Sequence, residues 1–228
     1  MIKYIPNKNL FLNFLSKRLE TVDLCLDDIK EILDSCLLIT HDRFKMINNK
    51  YYKNDDNEIL LQTAHGSQMV MFLYELSRQA YLKSSSNKEE SDTYKLIADK
   101  LYYLKIADTS TNILYSIDLP LKLFCDHPHS SVIGRATFTE QSSFKFSTCC
   151  SIGNNWGKYP SIDGDLVMFP NSSLLGNVKI EGLVVLSNGC YIKDEGVIKD
   201  KIVFGRSPKL LFKDITKEDK KKYVFYTI

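Results

Sequence analysis

Hydrophobic and polar positions change their rhythm once along this chain, near Phe124. Before that point apolar residues recur at the i, i+3, i+4 spacing of helices that bury one face. Leu10, Phe11, Phe14, Leu15 and Leu19 form the first such stripe. A second helical stretch spans Asp27 to Asn48, with Leu26, Ile29, Ile32, Leu33, Cys36 and Leu37 along one side. A third spans Glu58 to Tyr81 and offers Leu60, Leu61, Met69, Phe72, Leu73 and Leu76 for packing. The small polar run Lys83-Ser-Ser-Ser-Asn-Lys-Glu-Glu predicts a loop. Ser91 to Leu104 predicts a fourth helix, and Asp118-Leu-Pro120 a last turn out of this region.

After Phe124 the helical spacing stops, and Gly, Asn, Ser and β-branched residues take over. A repeat of six replaces it. Counting from Val132, each sixth residue is Phe138, Phe144, Cys150, Trp156, Ile162, Met168, Leu174, Ile180, Leu186, Ile192, Ile198 and Phe204, all apolar or aromatic. Two residues ahead stand Leu166, Ser172, Val178, Val184, Cys190, Gly196 and Ile202, which are small or aliphatic. Six residues do not return to one face of a helix, and the polar positions between do not alternate as in a simple strand. A triangular parallel coil accounts for the spacing: one short strand per face, one bulky side chain per strand pointing inward, and stacked coils burying a continuous core. Gly, Asn and Asp serve the corners, where positive φ is required. Around Ile152-Gly-Asn-Asn155 the phase changes, which predicts a loop interrupting the coil at Asn154 to Tyr159, with Trp156 part of it.

Composition narrows the class of protein without choosing a function. With 44% hydrophobic and 25% charged residues in 228, the chain can bury a core of its own. A net charge of +2 gives no reason to expect a nucleic-acid partner. No stretch has the apolar length of a bilayer span, and the first residues lack a signal-peptide pattern, so a cytoplasmic protein is expected. Cys25, Cys36, Cys125, Cys149, Cys150 and Cys190 make no CxxC pair, which predicts reduced thiols and no metal site.

The repeat units Val132-Ile-Gly-Arg-Ala136 and Ser151-Ile-Gly-Asn-Asn155 resemble those of the hexapeptide-repeat acyltransferases. The segment from Gly157 to Asn177 is similar to the one around the second active-site histidine in the serine acetyltransferase-like branch. Val203-Phe-Gly-Arg-Ser-Pro-Lys209 is similar to that family's closing stretch beside the coenzyme A site. The position of the branch's later His-Pro is Tyr159-Pro160 here, and no Asp-His lies between Gly134 and Tyr159. His127-Pro128 shortly before Ile133-Gly134 resembles serine acetyltransferase-like proteins of surface-polysaccharide gene clusters. The resemblance implies an α+β chain: a helical N-terminal domain over 1–122, a left-handed parallel β-helix over 123–212 and a polar C-terminal tail over 213–228. It also implies acetyl-CoA as co-substrate and a homotrimer or dimer of trimers.

Acyl transfer from a thioester to a hydroxyl needs a base for the hydroxyl proton and donors for the oxyanion. The candidate bases are His127 and His129, in Cys125-Asp-His-Pro-His-Ser-Ser131, with Asp126 placed to orient an imidazole. His41 and His65 read as residues of the helical region. Tyr159 and Trp156 are candidates for the acceptor. Gly153 and Gly157 are candidate N–H donors beside the acyl group, and Gly205, Arg206 and Lys209 candidates for holding coenzyme A. Asp219-Lys-Lys-Lys222 reads as a solvated basic end. The expected activity is transfer of an acetyl group from acetyl-CoA to a hydroxyl of a sugar or surface-polysaccharide precursor. Serine O-acetylation and a non-catalytic β-helix scaffold for a partner enzyme are the alternatives.

Overall fold

The computed structural model describes residues 1–86 and 89–226. The chain parts into two compact units between Ser110 and Thr111. The sequence reading places its first boundary at 122/123.

The first unit consists of β1 (Ile2–Ile5), α1 (Lys8–Glu20), α2 (Leu26–Met46), β2 (Ile59–Gln62), α3 (Gly66–Ser86) and α4 (Ser91–Thr109). The expected third helix from Glu58 is thus two elements. Ile59 and Leu61 alternate with half-buried Leu60 and Gln62, a period of two, and pair in parallel with Ile2 and Tyr4 of β1. The helix begins at Gly66 and runs into the first half of the expected loop, to Ser86; the hydroxyls of Ser84, Ser85 and Ser86 donate to carbonyls three or four residues back. Asn87 and Lys88 of that expected loop lie outside the described residues. α3 is buried on every side from Ser67 to Ser77. Glu75 within it is ion-paired to Arg43 at 3.2 Å and accepts from Gln79 Nε2 at 2.6 Å, the pairing a buried carboxylate requires.

The second unit holds β3 (Asn112–Ile113), β4 (Lys122–Cys125), β5 (Val132–Ile133), β6 (Thr137–Phe138), β7 (Ser143–Phe146), β8 (Ser151–Gly153), β9 (Ser161–Met168), β10 (Ser173–Leu175), β11 (Val178–Leu186), β12 (Tyr191–Lys193), β13 (Gly196–Arg206), β14 (Lys209–Asp214) and α5 (Lys217–Tyr223). All pairings are parallel except β13 with β14. They define the three faces of a β-solenoid. The first face stacks β3, β5, β8, β10 and β12. The second stacks β4, β7 and the later halves of β9, β11 and β13. The third stacks β6 with their earlier halves. Uninterrupted coils advance by 18 residues, as from Ser161 to Lys179 and on to Val197. Inward ladders fill the interior: Ile113, Ile133, Ile152, Leu174 and Ile192 on the first face, and Phe146, Met168, Leu186 and Val203 on the second, all at most 2% exposed.

Nine of the thirteen residues at the six-residue spacing are buried, and the others mark where the coil gains or loses a residue. Val132 is 47% exposed while Ile133 fills the core, because the corner from Ile133 to Phe138 is one residue short. Phe204 is 40% exposed for a similar reason. Gly182 and Leu183 stand opposite Asp200 alone, so the inward position passes to Val203. Trp156 stands in an inserted turn, and Phe138 is half-buried.

Over its last three coils the second face is apolar outside as well as in. Val167, Leu183, Val185 and Ile202 form a buried cluster beneath Phe169, Ile215 and Tyr223. Phe225 sets its ring 5.8 Å from that of Phe124, and the Tyr226 hydroxyl donates to the Asp165 carboxylate at 3.1 Å. Regular structure therefore continues beyond the expected 212/213 boundary. The thiols are all free. Among the described residues no helix is long and apolar enough to cross a membrane.

Candidate active site

The candidate residues fall at three places on the solenoid. The first is the corner between β4 and β5. His127 and Ser130 adopt positive φ there, 51° and 57°, which lets the chain turn sharply between two short strands. The corner is pinned by backbone: His129 N–H donates to the His127 carbonyl at 2.9 Å, and the His129 carbonyl accepts from Cys149 N–H at 2.9 Å and Thr148 Oγ1 at 2.8 Å. Beneath it the Ser131 hydroxyl donates to Ser147 O and accepts from Cys150 N–H. Both imidazoles are exposed. The Asp126 N–H donates to Phe146 O at 2.8 Å, and its carboxylate stands 3.4 Å from Lys145 Nζ.

The second place is the far end of the first face, after β8. The Gly153 carbonyl accepts from Gly176 N–H of the next coil at 3.0 Å. Asn155 and Lys158 then exchange two backbone hydrogen bonds of 3.0 Å around Trp156 and Gly157, at φ 50° and 76°. Positive φ at both central residues is the two-residue turn that fits the twist of paired strands, and glycine takes the second position without strain. The turn is the expected interruption of the coil, and it presents Trp156 with 93% of its surface exposed. Asn155 Nδ2 donates to Asp194 Oδ2, while Asp194 Oδ1 accepts from Asn177 N–H at 2.8 Å. The Asn177 N–H first, then Asn155, holds the Asp194 carboxyl below its usual range. Tyr159 closes the turn half-buried, its ring 4.9 Å from the Arg135 guanidinium.

The third place is the hairpin of β13 and β14. Arg206 and Lys209 are its closing pair, both exposed. Gly205 has φ 87°, and a side chain there would meet Lys209 O at 2.7 Å. The Arg206 guanidinium lies 4.9 Å from the Tyr191 ring, and Ser207 N–H donates to Tyr191 O at 2.8 Å. Ser151, Ser173, Tyr191 and Arg206 are in register along the first face. One face thus carries Gly153, the Trp156–Tyr159 turn and the Arg206 hairpin. His127 and His129 stand at the end of that face opposite Gly153 and the turn, a strand of about three residues or roughly 10 Å away, whereas Arg206, in register with Ser151, lies at the histidines' end several coils further along the stack.

Arg135, Asn155, Tyr191 and Asp194 were not singled out by sequence. Their places depend on which residues stack after the inserted turn, and Thr137 pairing with Ser161 is what sets Arg135 opposite Tyr159. His65 precedes α3, its Nδ1 accepting from Gln68 N–H at 3.4 Å, and His41 pairs with Asp42 at 2.9 Å. Among the described residues no group of acidic, histidine or cysteine side chains could hold a metal ion.

No family model matches this sequence, and no curated protein does. Solved structures do. The serine acetyltransferase of Vibrio cholerae O1 biovar El Tor N16961 superposes with a TM-score of 0.65 over 90% of this chain and 79% of its own, at 14% identity. That of Brucella abortus strain S19 in complex with coenzyme A gives 0.60 over 88% and 80%, also at 14%. That of Neisseria gonorrhoeae in complex with serine gives 0.56 over 78% and 71%, at 18% identity. This chain has the fold those serine acetyltransferases share, a helical domain leading into a left-handed β-helix of hexapeptide coils.

Proposed function

We propose that this protein is a cytoplasmic O-acetyltransferase that moves an acetyl group from acetyl-CoA to an acceptor hydroxyl. The observation that carries the reading is the likeness to a coenzyme A-bound serine acetyltransferase over 88% of the chain. The chemistry on the first face is compatible with it. A base removes the acceptor proton, the hydroxyl oxygen attacks the thioester carbonyl, N–H donors hold the oxyanion, and the sulfur leaves as the thiol once protonated. His127 is the proposed base, with His129 beside it and Asp126 within the same corner. Trp156 and Tyr159 would receive the acceptor. Gly153 and Gly157 would lie along the acyl group, and Gly205, Arg206 and Lys209 would hold coenzyme A, the two cations against its phosphates. The histidine corner and the Tyr159 turn stand at opposite ends of one face. A homotrimer that sets one copy's histidine corner beside the next copy's turn would complete the site.

The acceptor reading follows the His127-Pro128 and Ile133-Gly134 arrangement and favours a sugar hydroxyl of a surface-polysaccharide precursor. The gonococcal structure holding serine supports L-serine as a second reading. The test is the thermal midpoint with and without acetyl-CoA. A ligand at about a hundred times its Kd adds about 2.7 kcal/mol to a native state that alone binds it. A clear rise, followed by turnover of a sugar or serine that His127→Ala lowers by about 10² or more, is the expected result. An unmoved midpoint at saturating acetyl-CoA would sink the reading and leave the non-catalytic scaffold in its place.

A further inference from the structure

The backbone on either side of Arg135 is pinned to the next coil. The residue before it, Gly134, donates its N–H to Ile152 O at 2.8 Å, and the Cβ of any other residue there would fall 2.8 Å from that same oxygen. Two residues after it, Thr137 N–H donates to Pro160 O at 3.1 Å. The backbone is therefore fixed on both sides, and the register brings residue 135 opposite residue 159. The guanidinium lies 4.9 Å from the centre of the Tyr159 ring. The attraction of a cation to a ring face is electrostatic, so the guanidinium keeps its edge, the row of N–H donors, for other acceptors.

That edge has no acid to meet. Arg18 is paired with Asp108 and Arg43 with Glu75, but among the described residues Arg135 makes no ion pair. Lys158, exposed in the adjoining turn, adds a second positive charge. The carboxylate that braces this turn, Asp194, is occupied by Asn155 Nδ2 and Asn177 N–H. The corner thus presents a planar fork of donors over a half-buried phenol, three residues along the chain from an exposed indole. A planar oxyanion that accepts two parallel N–H bonds fits such a fork. Arg206 on Tyr191 is separate from this one, at the closing hairpin, and Arg43 over the Tyr74 ring is buried and paired with Glu75.

We infer that Arg135, laid on Tyr159, is an oxyanion clamp that selects acyl acceptors carrying a carboxylate or a phosphate monoester. The inference rests on the acetyltransferase reading only in assigning this turn to the acceptor. It adds that a sugar acceptor bears a phosphate, and that an uncharged sugar is a poor one. Arg135 is a specificity residue in this scheme and takes no proton.

Trp156 provides the measurement. It is the only tryptophan, lies three residues before Tyr159 and is 93% exposed, so its emission responds to a ligand entering the turn. The full chain is titrated at constant ionic strength with sodium phosphate, D-glucose 6-phosphate, L-serine and D-glucose. The expected result is saturable emission change with at least one oxyanion and none with D-glucose. Arg135→Gln should weaken that binding about tenfold, and Arg135→Lys by less, since it keeps the charge and loses the fork. Response to the phosphates alone, or to serine alone, names the anion. Absence of saturation by any oxyanion, equal response to D-glucose, or unchanged affinity in Arg135→Gln overturns the clamp. The thermal shift with acetyl-CoA is measured on the same variants. An unchanged shift in Arg135→Gln supports the acceptor assignment, and a lost shift overturns it in favour of the donor. If acetyl-CoA shifts nothing in the parent protein while oxyanion binding still depends on Arg135, the acetyltransferase reading fails and the clamp stands.

Discussion

Truncating Ile133 and Val132 separately to alanine asks which of two neighbours faces the core of the coil. The six-residue spacing assigns that place to Val132, whereas in the structure Ile133 is fully buried and Val132 is 47% exposed. Ile133 sits in register between Ile113 and Ile152, so the backbones of two neighbouring coils prevent the site from collapsing. Removing its three outer carbons forfeits about 2.4 kcal/mol of transfer free energy at about 0.8 kcal/mol each. The unfilled space adds about 1 kcal/mol, for a total of about 3 to 4 kcal/mol. Val132 loses two carbons that are already half in water, worth about 0.8 kcal/mol. A few tenths of strand preference bring that to about 1 kcal/mol. The gap of roughly 2.5 kcal/mol between the variants is the quantity to measure, by urea unfolding followed in far-UV circular dichroism, since Trp156 is too exposed to report on the core. Running both at two protein concentrations separates any contribution from self-association, which would make the midpoint concentration-dependent. Equal losses, or a larger loss for Val132→Ala, would refute the register of the first face.

Three further outcomes follow from the same structure. Gly164→Ala should cost about 3 kcal/mol or more, because the new Cβ would lie 2.2 Å from the Gly182 carbonyl oxygen of the next coil and neither backbone can yield; a midpoint within about two degrees of the parent would contradict it. Native protein should react quickly with Ellman's reagent at Cys25 and Cys149 alone, since Cys36, Cys125, Cys150 and Cys190 are buried and burial pushes the Cys190 thiol up to about 11; a native count of four or more would contradict that packing. Burial, and then the Asp165 charge, pushes the Tyr226 phenol up to about 12, above its unfolded value near 10. The folded state keeps that proton where the unfolded state loses it, so this contribution is complete below about pH 10 and is lost as the pH rises toward 12. Tyr226→Phe should therefore lose less stability than the parent between pH 9 and 11, and parallel melting curves would show the contact to be inert.

How far the site could be read from sequence depended on whether its residues were local. His127 and His129 stood out as residue types, and the turn at Asn154 to Tyr159 stood out because the phase broke there. Arg135 gave no signal. It occupies an ordinary position of a repeat unit, and its partner Tyr159 lies beyond an insertion whose length sets which residues stack. Tyr226 on Asp165 was hidden similarly, since a terminal Tyr-Val-Phe-Tyr segment has no period of its own.

The sequence by itself determined that helices come first and a six-residue coil follows, because burying one face of each element imposes a period that survives substitution. It also determined where the coil breaks. Only the tertiary structure decided that Glu58 to His65 is a strand and a turn rather than helix, since the parallel partner that stabilises Ile59 to Gln62 lies at Ile2 to Ile5. Only the structure placed Ile133 and Val203 inside instead of Val132 and Phe204. A corner that is one residue short leaves the composition of the repeat unchanged, yet it transfers the inward position to the neighbouring residue. The site depends on the same corners, because they decide which coil's tyrosine lies beneath which coil's arginine.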